Sequence, residues 1–105
     1  MTELTTLRDD LRQFAAERDW DQFHSPKNLA SALAVEAAEL LEPFQWLTEE
    51  QSRDLDEKRR AAVAEELADV QIYLIRLADK LDVDLLHAVR AKMVRNAEKY
   101  PVASF

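Results

Sequence analysis

Glycine and cysteine are both absent from the 105 residues of this chain, and proline occurs only three times. Because most tight hairpin turns rely on glycine, an antiparallel sheet is not expected. The lack of cysteine excludes disulfide frameworks and thiolate metal sites, which leaves carboxylate and imidazole groups as possible metal ligands. The dominant residues are Ala, Leu, Glu, Arg and Asp. We therefore predict an all-α fold that forms one domain over residues 1–105.

Long apolar runs and an excess of basic residues are also missing. No run reaches the roughly 18 apolar residues that a membrane-spanning helix needs. The first fifteen residues alternate acids with leucines and lack the apolar stretch of a signal peptide. A formal charge of −7 argues against a nucleic-acid surface. It does not exclude a nucleotide, because a bound metal ion can invert the local field. We expect a cytoplasmic protein without a membrane or nucleic-acid partner.

Apolar spacing and capping residues predict four main helices. Their expected bounds are about 5–19, 26–45, 61–81 and 83–99. Ser25 should cap the second helix, with Pro26 at its first position, and Asp82 should cap the last. A capping box at Thr48 predicts a short helical turn before the third helix. Pro43 removes a backbone donor and should bend or end the second helix nearby.

The third predicted helix is apolar on nearly every face between Ala61 and Leu81. A helix of this kind must be buried on more than one side. A chain of this length has too few other helices to cover it. We therefore predict a helix bundle that is completed by homo-oligomerisation, with the third helix near the centre of the interface.

Four carboxylates form two pairs with i, i+3 spacing, Glu36/Glu39 and Glu66/Asp69, so each pair shares one helix face. No Lys or Arg occurs in residues 28–52 or 61–75, and the neighbours are mostly apolar. Unpaired charges among apolar residues are costly unless a cation binds them. All-oxygen ligation without cysteine favours Mg²⁺ or Mn²⁺.

A short connection between the second and third helices predicts that they pack as an antiparallel pair. The two acid pairs would then converge on one or two cations between helices about 8–10 Å apart. A metal-bound water of lowered pKa suits hydrolysis of a phosphoanhydride. The alternative reading is that these acids form ordinary solvated helix faces.

Other side chains could recognise a nucleotide through stacking, anion binding or hydrogen bonds. The candidates are Trp20, Trp46 and Tyr73 for stacking, His24, Lys27 and Asn28 at a helix start, and Lys92, Asn96 and Tyr100 spaced four apart on the last helix. Six of them also have a purely structural interpretation. The aromatic residues could lie in the core or an interface, His24 could bond the helix start, and Lys92 and Asn96 could lie on a polar surface.

Four segments together resemble a known family. They are FAAERDWDQFHSPKNLA at 14–30, VEAAELLEPFQW at 35–46, EELADVQIYLIRLA at 65–78 and DLLHAVRAKMVRNAEKYP at 84–101. The sequence resembles the all-α nucleotide pyrophosphohydrolases of MazG type, with the small dCTP pyrophosphatase branch as the closest match. The resemblance extends from about Phe14 to Pro101.

The resemblance implies Mg²⁺-dependent hydrolysis of a nucleoside triphosphate between its α- and β-phosphates. It assigns the metal to the four acids, the nucleoside to Trp20, His24, Trp46, Tyr73 and Asn96, and the phosphates to Lys27 and Lys92, with Tyr100 nearby. The preferred substrate would be dCTP or a base-modified dCTP, in a nucleotide-pool sanitation role. The branch suggests a tetramer built from two dimers. Two alternatives remain open: a dUTP or broad-specificity pyrophosphohydrolase, and a non-catalytic helical interaction module.

Overall fold

The structure is a computed structural model that describes residues 2–103, and it contains helices and no strand within that range. The helices are α1 (Glu3–Glu17), α2 (Pro26–Leu41), α3 (Glu49–Ser52), α4 (Glu57–Lys80) and α5 (Leu85–Lys99). A 3₁₀ turn, Asp21–Phe23, joins α1 to α2. The prediction of an all-α fold with four main helices is confirmed, and α3 is the short turn expected from the capping box.

Local capping sets most helix boundaries. The Ser25 hydroxyl accepts a hydrogen bond from the backbone N–H of Asn28, and Pro26 occupies the first position of α2. Thr48 and Gln51 form the reciprocal capping box of α3. Helix α2 ends at Leu41, earlier than predicted. Because Pro43 has no N–H to donate back to the helix, the chain turns away just before it.

The predicted capping role of Asp82 is wrong. Asp84 caps α5, accepting a hydrogen bond from the backbone N–H of His87 at 3.0 Å. Asp82 instead follows α4 in the left-handed region, with φ of 54°. Its N–H donates to the Asp79 carbonyl at 3.1 Å, and the N–H of Val83 donates to the Ala78 carbonyl at 2.9 Å. This pair of bonds is a Schellman motif, which usually places glycine where Asp82 stands.

The end of α1 repeats this solution. Asp19 has φ of 56°, and its N–H donates to the Ala16 carbonyl at 3.2 Å. The N–H of Trp20 donates to the Ala15 carbonyl at 2.9 Å. A chain without glycine therefore ends two long helices on aspartate, which tolerates the left-handed region better than most residues. The motif also fixes where the Trp20 backbone leaves the helix.

The core lies where α1 and α2 pack against α4. Its fully buried apolar residues are Ala15, Leu29 and Ile75, one from each of these helices. His24, just before α2, contacts Arg76 near the end of α4, whereas Glu39 in the second half of α2 lies beside Glu66. The order of contacts is reversed along the two helices, so the predicted antiparallel pairing is confirmed.

The single chain is extended for its size. Its radius of gyration is 17.0 Å, compared with about 13 Å for a compact domain of this length. Helix α5 has no packing partner comparable to the α2–α4 contact within residues 2–103. Large apolar side chains stay exposed, including Leu67 of α4 at 53% and Met93 of α5 at 64%. None of the helices within this range has the length and apolar character needed to cross a membrane.

Candidate functional site

Three of the four predicted acids meet between α2 and α4. Glu36, Glu39 and Glu66 each place one carboxylate oxygen within 4.8 Å of the others. The i, i+3 spacing on α2 directs its two glutamates to the same face, and the α2–α4 packing brings Glu66 opposite them. All three are half-buried. The helix pairing therefore produces a compact three-carboxylate cluster.

The cluster is electrostatically unfavourable without a cation. The Oε2 atoms of Glu36 and Glu66 are buried and have no hydrogen-bond partner within residues 2–103. Burial, followed by the neighbouring Glu39, raises the pKa of Glu36 to about 7. Burial also raises the pKa of Glu66, with the charges of Glu39 and Asp69 adding to the effect. Such groups are stabilised either by protonation or by a bound positive charge.

This donor set fits a divalent cation of the Mg²⁺ or Mn²⁺ kind. Such ions prefer oxygen ligands and keep several waters when few protein ligands are present. The two unpartnered Oε2 atoms offer lone pairs that no described residue uses. The residues present therefore suit a hard metal ion.

The fourth acid, Asp69, lies on an adjoining cleft of about 310 Å³ between α1, the segment that joins α1 to α2, and α4. Three other predicted residues line the same cleft, Trp20, His24 and Tyr73. The charge of Asp69 contributes to the raised pKa of both Glu36 and Glu66, so the cleft and the cluster are electrostatic neighbours. Asp69 thus stands between a metal-type site and a largely apolar recess.

The wall of this cleft is aromatic. The rings of Trp20 and Phe14 meet edge to face with centroids 5.6 Å apart, and the guanidinium carbon of Arg18 lies 3.5 Å from the centroid of the Phe14 ring. The Schellman motif at the end of α1 fixes the backbone from which the indole projects. Aromatic faces beside an acidic site are suited to stacking on a planar base.

Sequence reasoning missed Arg76, a charged residue that is only 3% exposed and lines the same cleft. Its guanidinium donates to Asp21 at 3.0 Å and to Asp79 at 3.4 Å, and approaches His24. A signal was present, because Arg76 is the first cation after the Lys- and Arg-free stretch of residues 61–75. Its i+3 spacing from Tyr73 places both on one face of α4.

A second groove borders the acid cluster on its other side. Glu39 and Glu66 line it together with two cations at the start of α4, Lys58 and Arg59. No role was predicted from the sequence for these two cations. The structure puts positive side chains beside the carboxylates.

Five of the predicted binding residues line neither the cleft nor this groove. They are Lys27, Trp46, Lys92, Asn96 and Tyr100, all exposed. Trp46 is 86% exposed. The sixth, Asn28, is used locally, because its amide donates to the Phe23 carbonyl at 3.0 Å and closes the turn before α2. The single chain therefore assembles only part of the predicted nucleotide site.

Comparisons with known proteins agree with this architecture. The mouse and human proteins named dCTP pyrophosphatase 1 are 52% and 50% identical to the chain, in alignments of 102 and 101 positions that cover 92% and 91% of it. The aligned part covers 60% and 59% of those relatives, so the chain spans less than two thirds of their length. A crystal structure of a pyrophosphatase from Archaeoglobus fulgidus superimposes with a TM-score of 0.90 at 42% identity, covering 96% of this chain and 94% of that one.

The family assignment rests on the sequence profile of the MazG-like family, which matches residues 32–105. The matched region contains both acid pairs and all of α4 and α5. It also includes every carboxylate of the cluster described above. The chain belongs to the MazG-like family.

Proposed function

We propose that this chain is a divalent-metal-dependent nucleoside triphosphate pyrophosphohydrolase. The observation that carries the proposal is the pair of buried, unpartnered Oε2 atoms of Glu36 and Glu66 beside an aromatic cleft. Mammalian relatives at about half identity carry the name dCTP pyrophosphatase 1. The reaction would release the nucleoside monophosphate and pyrophosphate.

Each group in the site has a role that follows from its position. Glu36, Glu39 and Glu66 would hold Mg²⁺, and Asp69, whose charge adds to the raised pKa of Glu36, would be the fourth carboxylate. When bound, the ion supplies neutralising charge for the phosphates and a water of lowered pKa. One of these carboxylates, or a neighbouring glutamate, orients the attacking water.

The cations of the second groove suit the released phosphates. Lys58 and Arg59 lie beside Glu39 and Glu66, which places positive side chains next to the metal ligands. A polyphosphate that extends from the metal along this groove could form ion pairs with both Lys58 and Arg59. They join the predicted Lys27 and Lys92 as candidate phosphate contacts.

For the base, we propose dCTP or a base-modified dCTP, consistent with the names of the mammalian relatives. The aromatic wall at Trp20 and the phenol of Tyr73 suit a planar heterocycle. A preference for dUTP, or for several bases, is the second candidate, because stacking alone discriminates weakly among bases.

The deciding experiment measures pyrophosphate release from a panel of deoxynucleoside and ribonucleoside triphosphates, with Mg²⁺ and with EDTA. We expect release only with the metal and fastest with dCTP. Glu66→Gln should reduce turnover at least about 100-fold, since even partners of metal ligands cost about 10- to 100-fold. The matched control is Glu50→Gln, an exposed glutamate outside the cluster that should keep full activity. Metal-independent release, or full activity of Glu66→Gln, would reject the proposal in favour of a non-catalytic helical module.

We also propose that the chain works as a homo-oligomer, specifically a tetramer of two dimers. The chain exposes 8581 Å², compared with about 6,000 Å² for a compact monomer of its mass. Val89, Met93 and Val94 form an exposed apolar stripe on α5. A second copy packed there would cover the stripe and bring Lys92, Asn96 and Tyr100 towards a cleft.

Light scattering coupled to size exclusion tests the assembly. We expect a mass of four chains for the native protein and a smaller species for Met93→Glu, because a charge cannot be buried in an apolar interface without cost. The control is Arg95→Glu, an exposed position on the face of α5 opposite Met93. A native monomer with full turnover would contradict the proposed assembly and leave the chemistry standing.

A further inference from the structure

The buried guanidinium of Arg76 is held in place by two carboxylates. Its NH2 donates to Asp21 at 3.0 Å and its NH1 to Asp79 at 3.4 Å. Lys80 also donates to Asp21, at 2.6 Å, and Arg12 donates to Asp79 at 3.0 Å. Hydrogen bonds from Lys80 and Arg76 lower the pKa of Asp21, and the hydrogen bond from Arg12 lowers that of Asp79. Both acids therefore stay ionised and fix the guanidinium from two sides.

The same guanidinium faces one nitrogen of His24. Its Nε and NH2 atoms lie 3.3 Å and 3.2 Å from Nδ1 of the imidazole. An arginine side chain has only N–H donors and no acceptor. Nδ1 must therefore accept and cannot carry a proton. Since a neutral imidazole has one N–H, that hydrogen resides on Nε2.

The imidazole of His24 also lines the cleft. His24 lines it together with Trp20, Asp69 and Tyr73. No hydrogen bond from Nε2 to another group of the protein is present within residues 2–103. Burial, and then the charge of Arg76, lowers the pKa of His24, so the ring stays neutral near pH 7. The Nε2–H group of His24 is thus available to donate a hydrogen bond to a ligand in the cleft.

We propose that Arg76 is a positioning residue that locks His24 in its Nε2–H tautomer, so that the cleft recognises a hydrogen-bond acceptor on the nucleoside. The proposal rests on the proposed function, because it assumes that the base occupies this cleft. The acceptor would be a carbonyl oxygen or an unprotonated ring nitrogen of the base. The opposite tautomer, with its hydrogen on Nδ1, would present the lone pair of Nε2 to the cleft and favour an amino group of the base. The contact with Arg76 therefore decides whether the cleft prefers an acceptor or a donor on the base.

The first test reads the tautomer directly in the native protein. Long-range ¹H–¹⁵N correlation spectra of the ¹⁵N-histidine-labelled chain distinguish protonated from unprotonated ring nitrogens. The chain has two histidines, and His87→Gln assigns the signals of His24. We expect an unprotonated Nδ1 and a protonated Nε2. A protonated Nδ1 would overturn the proposal without any variant of Arg76 being needed.

The second test asks whether Arg76 acts through His24. In Arg76→Met we expect mixed tautomers, and a KM for dCTP raised about tenfold, the value of one hydrogen bond. The kcat should change by less than about twofold, since the carboxylates are untouched. In a His24→Phe background, Arg76→Met should raise KM no further. An additional rise there would mean a merely structural role and reject the proposal.

Two controls separate the possible failures. Arg53→Met removes an exposed guanidinium at the end of α3 that does not contact His24, and it should leave the tautomer and KM unchanged. A triphosphate whose base is a phenyl ring offers no acceptor, so Arg76→Met should leave its KM unchanged; an equal rise would contradict the inference. If no triphosphate is hydrolysed, the proposed function fails, whereas the tautomer measurement still decides whether Arg76 fixes His24.

Discussion

Glu36 and Glu66 lie on different helices, yet each buries an Oε2 atom that has no hydrogen-bond partner within residues 2–103. Together with Glu39, the two residues bring carboxylate oxygens within 4.8 Å of one another. Each group loses hydration and repels the others, which destabilises the folded chain when no cation is bound. Binding of a cation reverses the sign of that contribution. The site is therefore expected to couple folding stability to metal concentration.

Replacing Glu36 by glutamine should separate stability from metal binding. In EDTA at pH 8 we expect Glu36→Gln to be at least as stable as the native chain, because an amide carries no charge to desolvate. Saturation with Mg²⁺ at about 100 times its Kd should stabilise the native chain by about 2.7 kcal/mol, and the variant by much less. Calorimetric unfolding with and without Mg²⁺ measures both effects. Glu50→Gln, an exposed acid in α3 outside the cluster, is the matched control.

The pH dependence of the metal-free chain should show the same cluster. The pKa of Glu36 is about 7 in the folded state, above its ordinary value of 4.5, so the folded state retains a proton that the unfolded chain has already released. The free energy of unfolding should therefore fall as pH rises from about 4.5 to about 7 and level off above that. The raised pKa of Glu66 acts in the same direction. Urea unfolding in EDTA across this range checks the slope, which Glu36→Gln should flatten.

The left-handed aspartate after α4 predicts a stabilising glycine substitution. Asp82→Gly should match or exceed native stability, because glycine adopts a φ of 54° without steric cost. Asp82→Val should lose about 1–2 kcal/mol, since a β-branched residue is strained in that region. Thermal unfolding measures both variants. Asp84→Ala, which removes the observed N-cap of α5, should cost about 1 kcal/mol and serves as the comparison. A glycine variant less stable than the valine variant would contradict this account.

Fluorescence can distinguish the two tryptophans. Trp20 lines the aromatic cleft, so a nucleotide should quench its emission in a Trp46→Phe variant. Trp46 is highly exposed in the single chain, and we expect it to respond only in the assembled protein. In Trp20→Phe, any nucleotide quenching comes from Trp46. Adding Met93→Glu, which should disrupt the assembly, should therefore abolish that quenching. Quenching of Trp46 in a monomeric species would place the base elsewhere.

Several parts of this structure followed from local sequence rules. Ser25 before Pro26 fixed the start of α2, and the spacing of Glu36 and Glu39 fixed their shared face. Such features depend on residues within one helical turn of each other, which the sequence displays directly. The packing of α2 on α4 also followed, because a short connection leaves few alternatives.

Other parts depend on contacts that sequence spacing cannot display. Arg76 and Asp21 are 55 positions apart, so the sequence cannot display the ion pair that holds the buried guanidinium. Asp82 was predicted as the cap of α5 in place of Asp84 because both are good N-caps by residue type. Only the backbone shows that Asp82 has positive φ and belongs to the end of α4. Finally, α5 was expected to supply Lys92, Asn96 and Tyr100 to the site, but within residues 2–103 none of them lines the cleft or the second groove.

The indole of Trp20 begins at the residue that closes the end of α1, since its own N–H bonds to the carbonyl of buried Ala15. Fraying of the last turn of α1 would therefore also displace Trp20, which lines the aromatic cleft together with Tyr73. The rate at which that single backbone hydrogen bond opens limits how often fraying of α1 can displace this side of the cleft. The hydrogen-exchange rate of the Trp20 amide would thus report how often the cleft opens locally at this side.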